Sequence, residues 1–195
     1  MNPWLAGNVE NLSFRPAQLL DIPAIVELVN SAYRGETGKQ GWTTEADLLD
    51  GQRTDAEEIT RLTQTDGSII LLCLLAGEII ASVHLEPHDE GAYLGMLAVD
   101  PSLQGLGIGK RLMAEAEQVA MQRWGAENML MTVITLRHDI IAFYERHGYV
   151  RTGRTLPFPT SEKYGIQKVP GLVLEYLTKP LAKPTRTSPL QTHET

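Results

Sequence analysis

Two spacings of hydrophobic positions alternate along the chain and predict an α/β fold. Apolar runs typical of strands cover residues 12–16, 68–75, 78–86, 92–99, 129–135, a stretch starting at Val150, and 172–177. Apolar residues at helical spacing cover about 21–33, a segment that starts at Thr54, 107–124 and 139–147. This order predicts one central mixed sheet, with the helices punctuating the strands and covering it.

Capping residues mark the ends of three of these helices. Asp21 is predicted to cap the first helix. Thr54, with Glu57 three residues later, has the spacing of a capping box, which places the second helix start at Thr54. Gly148 is predicted to end the helix at 139–147, since glycine adopts the left-handed conformation that follows many helices.

The length and composition indicate one soluble domain. The chain has 195 residues and is 43% hydrophobic, which is enough for a sizeable core. We expect residues 1–11 to be an N-terminal extension, residues 12–178 to form the domain, and the polar, proline-rich residues 179–195 to be a disordered tail. The start lacks the features of a signal peptide, and no apolar stretch reaches the ~18 residues of a membrane span, so we expect a cytoplasmic protein without membrane contact.

The net charge and the cysteine and histidine content limit the partners, metals and catalytic groups that we expect the protein to use. The formal net charge of −7 argues against a nucleic-acid partner and mildly favours a cationic amine as substrate. The single cysteine, Cys73, lies in an apolar run, so we expect a buried thiol without a catalytic role. The histidines show no metal-ligand spacing with one another or with Cys73, which predicts no metal site.

A glycine-rich loop between the strand at 92–99 and the helix at 107–124 carries the sharpest chemical signal. Glycines let the backbone approach a ligand, and the free N–H groups of a helix start bind anions, so a pyrophosphate is the natural ligand. The alternative is a tight turn that binds nothing. The spacing G-x-G-x-G differs from the G-x-G-x-x-G of dinucleotide folds, and no Ser or Thr follows Lys110 as in a Walker loop.

Two motifs lie in residues 93–150. The segment LAVDPSLQGLGIGKRLM matches Q/R-x-x-G-x-G/A at Gln104, Gly107 and Gly109, and IIAFYERHGY follows it downstream. Together they resemble the GNAT superfamily of N-acyltransferases. The resemblance implies a single-domain GNAT-like fold with a central mixed, largely antiparallel sheet. It also implies an N-acetyltransferase that moves an acetyl group from acetyl-CoA to a primary amine by direct attack, through a tetrahedral intermediate.

The resemblance also implies which residues hold acetyl-CoA. The strand before the glycine loop would splay from its neighbour and bind the pantetheine arm through the backbone of Leu97, Ala98 and Val99. The Val99 N–H is then the candidate oxyanion donor, since a tetrahedral intermediate needs donors where negative charge develops. The pyrophosphate would bind the backbone amides of the loop, namely those of Gly105, Gly107, Gly109 and Lys110.

Candidate proton-transfer groups come from the second motif and from the hairpin. By resemblance, Tyr144 protonates the departing thiolate; the alternative is a core tyrosine that packs beside Phe143. Asp139 stands where many relatives have asparagine, so it could instead be a helix N-cap. Glu86, which shares a strand face with His84, is the candidate general base, and the alternative is that both end the strand in solvent.

The resemblance implies that the segment after the first helix and the C-terminal strands bind the acceptor. Glu36, Trp42 and Phe158 are the candidate substrate-binding residues there, and Trp42 could equally pin that polar segment to the core. The acceptor would be an amine-bearing small molecule or peptide, and a homodimer is left open. Two other functions are also open: a non-catalytic acyl-CoA-binding module with the same fold, and an acyltransferase for longer acyl groups.

Overall fold

The computed structural model describes residues 11–34, 44–161 and 165–182. The predicted strands and helices occur in their predicted order, and two short strands, Leu49–Asp50 and Ile166–Gln167, were not predicted. The elements are β1 (Leu12–Pro16), α1 (Ile22–Arg34), β2 (Leu49–Asp50), α2 (Ala56–Gln64), β3 (Ile69–Leu75), β4 (Glu78–His88), β5 (Gly91–Val99), α3 (Ile108–Trp124), β6 (Asn128–Ile134), α4 (His138–Arg146), β7 (Val150–Pro157), β8 (Ile166–Gln167) and β9 (Val173–Pro180).

A seven-stranded sheet in the order β1-β3-β4-β5-β6-β9-β7 organises the chain. Neighbouring strands run antiparallel except β5 and β6, which are parallel. The short strands β2 and β8 pair separately. The predicted α/β fold with a mixed, largely antiparallel sheet is therefore confirmed.

Helices cover both faces of this sheet. The helices α1 and α2 pack on one face, against Ile70, Leu72 and Ala98. The helices α3 and α4 pack on the other face, against the alternate residues of the same strands. All seven residues of β3 are buried for this reason, because a strand covered on both faces reads as a continuous apolar run. Cys73 lies in this core with no exposed surface, and burial raises the pKa of its thiol to about 11.

Two predicted N-caps are wrong. The Asp21 carboxylate does not cap α1: it lies in a 3₁₀ turn and pairs with the Arg15 guanidinium at 2.6 Å. The helix α2 is capped by Asp55, whose side chain accepts a hydrogen bond from the Glu58 N–H at 2.7 Å. The spacing of a capping box occurs twice here, at Thr54 with Glu57 and at Asp55 with Glu58. The later register is used because tertiary hydrogen bonds hold the Thr54 backbone in a non-helical segment.

The last strand extends beyond its predicted end at Leu177. The strand β9 continues to Pro180, which pairs with Asn128, and the next residue, Leu181, is buried. Residues 179–181 thus pack with the domain instead of starting the tail. Residues 1–10 and 183–195 lie outside the described residues. No helix in the described ranges combines the length and apolarity that crossing a membrane requires.

We predict that Asp55→Ala lowers the free energy of unfolding by about 0.5–2 kcal/mol, because it removes the acceptor for an orphan N–H of α2. Asp55→Asn is the matched control, since its side-chain oxygen can accept the same bond. Urea denaturation of both variants measures the difference. Equal stability of the alanine variant and the wild type would show that this cap contributes nothing.

Candidate active site

The strands β5 and β6 separate after a short stretch of pairing, and this opens a cleft in the middle of the sheet. Their parallel ladder joins Ala92 to Met129 and Tyr93 to Leu130. On its other side β5 carries a bulge, at which Met96 adopts a φ of +51°. A bulge bends the strand and increases its twist, which directs the end of β5 away from β6. The splay that the GNAT resemblance implies is present.

The backbone at the end of β5 faces this cleft. The Asp100 N–H donates to the Ile80 carbonyl of β4 at 2.9 Å. Because hydrogen-bonded and non-hydrogen-bonded pairs alternate in an antiparallel ladder, the polar groups of Val99 point away from β4 and into the cleft. The Gln104 side chain donates to the Val99 carbonyl at 3.2 Å. The same alternation directs the Ala98 amide towards β4, so Val99 is the better-placed oxyanion donor.

The glycine loop has open space where side chains would otherwise stand. Gly105 and Gly107 have φ values of +83° and +79°, and no atom lies within 4 Å of a Cβ built at either position. Gly107 is also the N-cap residue of the 17-residue helix α3, without a side chain over the helix start. Gly109 and Lys110 follow in the first turn, where Gly109 is buried and Lys110 is exposed. An anion can therefore reach the free N–H groups, as a bound pyrophosphate requires.

A cavity of about 450 Å³ occupies the cleft and continues towards α1 and α2. This is within the range of about 300–1,000 Å³ found for small-molecule sites. The cavity brings together several residues that the sequence analysis selected separately. These are Glu86, Leu97, Tyr144 and Phe158.

Tyr144 packs in the core and also lies at the cavity. It is 8% exposed, and its ring packs edge to face against Phe143 and Tyr149. It also lines the cavity. Burial raises the pKa of the Tyr144 hydroxyl well above its ordinary range, so the phenol keeps its proton at neutral pH and can donate it.

His84 and Glu86 lie side by side on the cavity wall. The His84 ring is buried, with Nε2 at 2.9 Å from the Ser68 hydroxyl and 3.9 Å from the Glu86 carboxylate. The Glu86 side chain is 46% exposed. Burial lowers the pKa of His84, while the charges of Glu86 and Glu58 oppose that change. The expectation that both residues end the strand in solvent is therefore wrong for His84.

Tyr33 is a site residue that the sequence analysis missed. Its hydroxyl donates to the Leu97 carbonyl at 2.9 Å, and its ring lines the cavity. Burial raises the pKa of Tyr33 to about 12, so the hydroxyl remains a donor. The signal was present, because Tyr33 follows Val29 by four residues and continues the apolar face of α1 towards the sheet.

Arginines from three segments of the chain also line the cavity. Arg61 pairs with Glu58 at 2.9 Å, and Arg137 pairs with Asp139 at 2.9 Å. Asp139 is thus held by Arg137, which lowers the pKa of its carboxyl, and the N-cap of α4 is Arg137. The third, Arg53, lies over the Tyr33 ring at 5.3 Å from the ring centre.

The structure describes one of the three predicted substrate-binding residues. Phe158 is 9% exposed, lines the cavity and packs with Leu49 and Leu172. Glu36 and Trp42 lie outside the described residues. Within the described ranges, no three His, Cys, Asp or Glu side chains are grouped so that they could hold a metal ion.

We predict that the His84 pKa lies below its ordinary value of about 6.5 and falls further in Glu86→Gln, because the lost carboxylate no longer favours the imidazolium. Titration of the ring by NMR measures both values. Glu78→Gln, at the exposed start of the same strand, is the matched control and leaves the pKa unchanged. A wild-type pKa at or above the ordinary value would contradict the buried, neutral ring.

Solved structures of acetyltransferases have a similar fold. The ribosomal-protein-alanine N-acetyltransferase from Brucella melitensis is 21% identical with a TM-score of 0.65, over 87% of this chain and 99% of that chain. The yncA protein from Salmonella typhimurium, solved with its cofactor acetyl-CoA, is 19% identical with a TM-score of 0.64, over 92% and 99%. At these identities the likeness establishes the fold. No curated protein matches the chain significantly.

The sequence itself gives the family. The model of the "Acetyltransferase (GNAT) family" matches residues 23–149, well over half of the chain. The match extends from the first turn of α1 to the residue before β7, and it includes the cleft, the glycine loop and Tyr144. The chain therefore belongs to the GNAT family of acetyltransferases.

Proposed function

We propose that the protein transfers the acetyl group of acetyl-CoA to a primary amine by direct attack, without an acyl-enzyme. The observation that carries this proposal is the gap between β5 and β6. The backbone of Val99 faces this gap, the glycine loop follows β5 in the chain, and the cavity in the gap is lined by His84, Glu86 and Tyr144. A covalent route is disfavoured because Cys73, the single cysteine, is fully buried in the core and does not line the cavity.

The loop amides of Gly105, Gly107, Gly109 and Lys110 hold the pyrophosphate of acetyl-CoA, and the Val99 N–H receives the thioester carbonyl. The positive end of the α3 dipole and the free N–H groups of its first turn favour the pyrophosphate charge. The Val99 N–H then stabilises the oxyanion as the carbonyl becomes tetrahedral. The support for these roles is the open space at Gly105 and Gly107 and the direction of the Val99 backbone.

Two side-chain groups move the protons. The ammonium of the acceptor loses a proton to Glu86, directly or through water, and the neutral amine attacks the acetyl carbon. The tetrahedral intermediate collapses as the carbon–sulfur bond breaks, and the departing thiolate takes the proton of the Tyr144 hydroxyl. The nitrogen releases its remaining excess proton to solvent, Glu86 also returns its proton to solvent, and solvent supplies one proton to the Tyr144 phenolate.

We predict that the wild type binds acetyl-CoA with a Kd on the order of 1 μM and that Gly107→Glu abolishes binding. The glutamate would place a side chain and a negative charge where the pyrophosphate belongs. Gly125→Glu is the matched control, because Gly125 ends the same helix with a φ of +64° and open space at its Cβ. It introduces a comparable backbone strain away from the loop.

Isothermal titration calorimetry of the three proteins measures this difference, with thermal unfolding to confirm that each is folded. Retained binding in Gly107→Glu would exclude the loop as the cofactor site. Absence of binding by a folded wild type would overturn the acetyltransferase function itself.

We predict that Tyr144→Phe lowers kcat by about 100-fold or more while acetyl-CoA still binds, because it removes the proton donor and keeps the packed ring. Tyr149→Phe is the matched control: it removes a buried hydroxyl from the same aromatic cluster, at a ring that does not line the cavity. Release of free CoA thiol during turnover measures both variants. If Tyr144→Phe and the wild type turn over at the same rate, Tyr144 is not the proton donor and serves only in core packing.

The alternative function is a non-catalytic acyl-CoA-binding module. The observation that favours it is the ion pair of Asp139 with Arg137, since Asp139 stands where the GNAT resemblance implies an asparagine that contacts the cofactor arm. Binding of acetyl-CoA without turnover of any amine would support this alternative.

A further inference from the structure

Arg53 is a half-buried arginine in the cavity wall, and no carboxylate among the described residues forms an ion pair with it. The other two arginines of the wall are paired, Arg61 with Glu58 and Arg137 with Asp139. A buried or half-buried charge is costly unless a partner compensates it. The Arg53 guanidinium lies over the face of the Tyr33 ring.

The backbone of Arg53 is held in position by Asn30 of α1. The Asn30 Oδ1 accepts hydrogen bonds from the N–H groups of Arg53 and Thr54, at 2.7 and 3.2 Å. The Asn30 Nδ2 donates to the Thr54 carbonyl at 2.9 Å. The side chain then stacks on Tyr33, whose hydroxyl is bound to Leu97. The guanidinium is therefore prepositioned, which lowers the entropic cost of binding an anion.

Arg53 shares the cavity with the groups of the proposed reaction. Its guanidinium lies over the Tyr33 ring, and Arg53 lines the same cavity as Tyr93 and His84. Glu86 lies in the same cavity and carries the opposite charge. A carboxylate on one side and a guanidinium on the other complement a zwitterion, with its ammonium at Glu86 and its anionic group at Arg53.

We propose that Arg53 binds the carboxylate of the acceptor, and that the acceptor is a small amine that carries a carboxylate, such as a free amino acid. This inference rests on the proposed function, because it names the substrate class of the same cavity. The limited volume of the cavity favours a small molecule over a protein N-terminus, whose amine has no free carboxylate beside it.

The test uses the full chain with saturating acetyl-CoA and compares each amino acid with its carboxamide, which keeps the amine and removes the negative charge. Release of CoA thiol gives kcat/KM. We expect at least one amino acid to be preferred over its amide by about 10-fold or more, the range of a hydrogen bond to a charged group. Arg53→Gln lowers kcat/KM for that amino acid by about 10- to 100-fold and leaves its amide unchanged.

Two further variants separate recognition from structure. Arg53→Lys keeps the charge but not the bidentate fork, so it restores part of the preference. Arg123→Gln, on an exposed position of α3, is the matched control and retains the wild-type preference. The acetyl-CoA affinity and thermal unfolding of Arg53→Gln stay at wild-type values, because the Asn30 clamp binds backbone groups that glutamine also provides.

The outcomes distinguish this inference from the proposed function. Equal turnover of amides, simple monoamines or a peptide N-terminus, with amino-acid turnover unaffected by Arg53→Gln, would overturn the role of Arg53 while acetyl transfer stands. If no amine turns over, calorimetric titration of the CoA-loaded protein with the same amino acid and amide pairs still tests Arg53. Binding of the amino acid that Arg53→Gln removes would support its role without catalysis, and no binding would overturn it.

Discussion

The early end of the β5–β6 ladder is the constraint on which the site depends. Inside a sheet each strand normally satisfies the backbone polar groups of its neighbour, and a gap in the ladder leaves those groups to find other partners. Here the Leu97 carbonyl is satisfied by the Tyr33 hydroxyl and the Val99 carbonyl by the Gln104 side chain. Both partners come from elements that flank the gap, so the cleft is kept open by hydrogen bonds that a regular ladder would have excluded.

Residues around the bulge at Met96 face alternate sides of the sheet, and each side packs against a different pair of helices. Met96 and Ala98 pack against α1 and α2, whereas Leu97 and Val99 pack on the side of α3 and α4. The side of α3 carries the glycine loop and the tyrosine of α4. The side of α1 and α2 carries the charged residues Arg53, Glu58 and Arg61. Donor and acceptor would therefore approach the reactive carbonyl from opposite faces of one sheet.

The sequence allowed the fold and the glycine-rich turn before α3 to be predicted, because both depend on local signals. Hydrophobic periodicity identifies strands and helices, and the spacing of Gln104, Gly107 and Gly109 lies within one turn and one helix start. The acceptor side could not be predicted in this way. Tyr33 meets Leu97 and Arg53 only after residues far apart in the chain are brought together, and no short spacing in the sequence indicates these contacts.

The errors at the helix starts have the same origin. Asp21 and Thr54 both have good capping chemistry, but Asp21 is held by Arg15 and Thr54 by Asn30. Tertiary partners thus overrode a local preference that is worth only about 1 kcal/mol. At Asn30 the same tertiary bonds that displaced the cap also position Arg53. The deviation from the local rule therefore lies in the segment that we propose binds the acceptor.

The titration behaviour of the cavity restricts where a proton can go. Burial raises the pKa values of Tyr33, Tyr93 and Tyr144, so all three phenols remain protonated at neutral pH and act as donors. None of them can take a proton from an ammonium ion. The described wall residues that can accept a proton are the carboxylates of Glu45, Glu58 and Glu86 and the ring of His84. Glu45 and Glu58 form ion pairs with Arg34 and Arg61, so we propose that Glu86 and the neighbouring His84 accept the proton. A reaction that moves a proton from the acceptor nitrogen to the leaving sulfur is consistent with this separation of acceptors and donors.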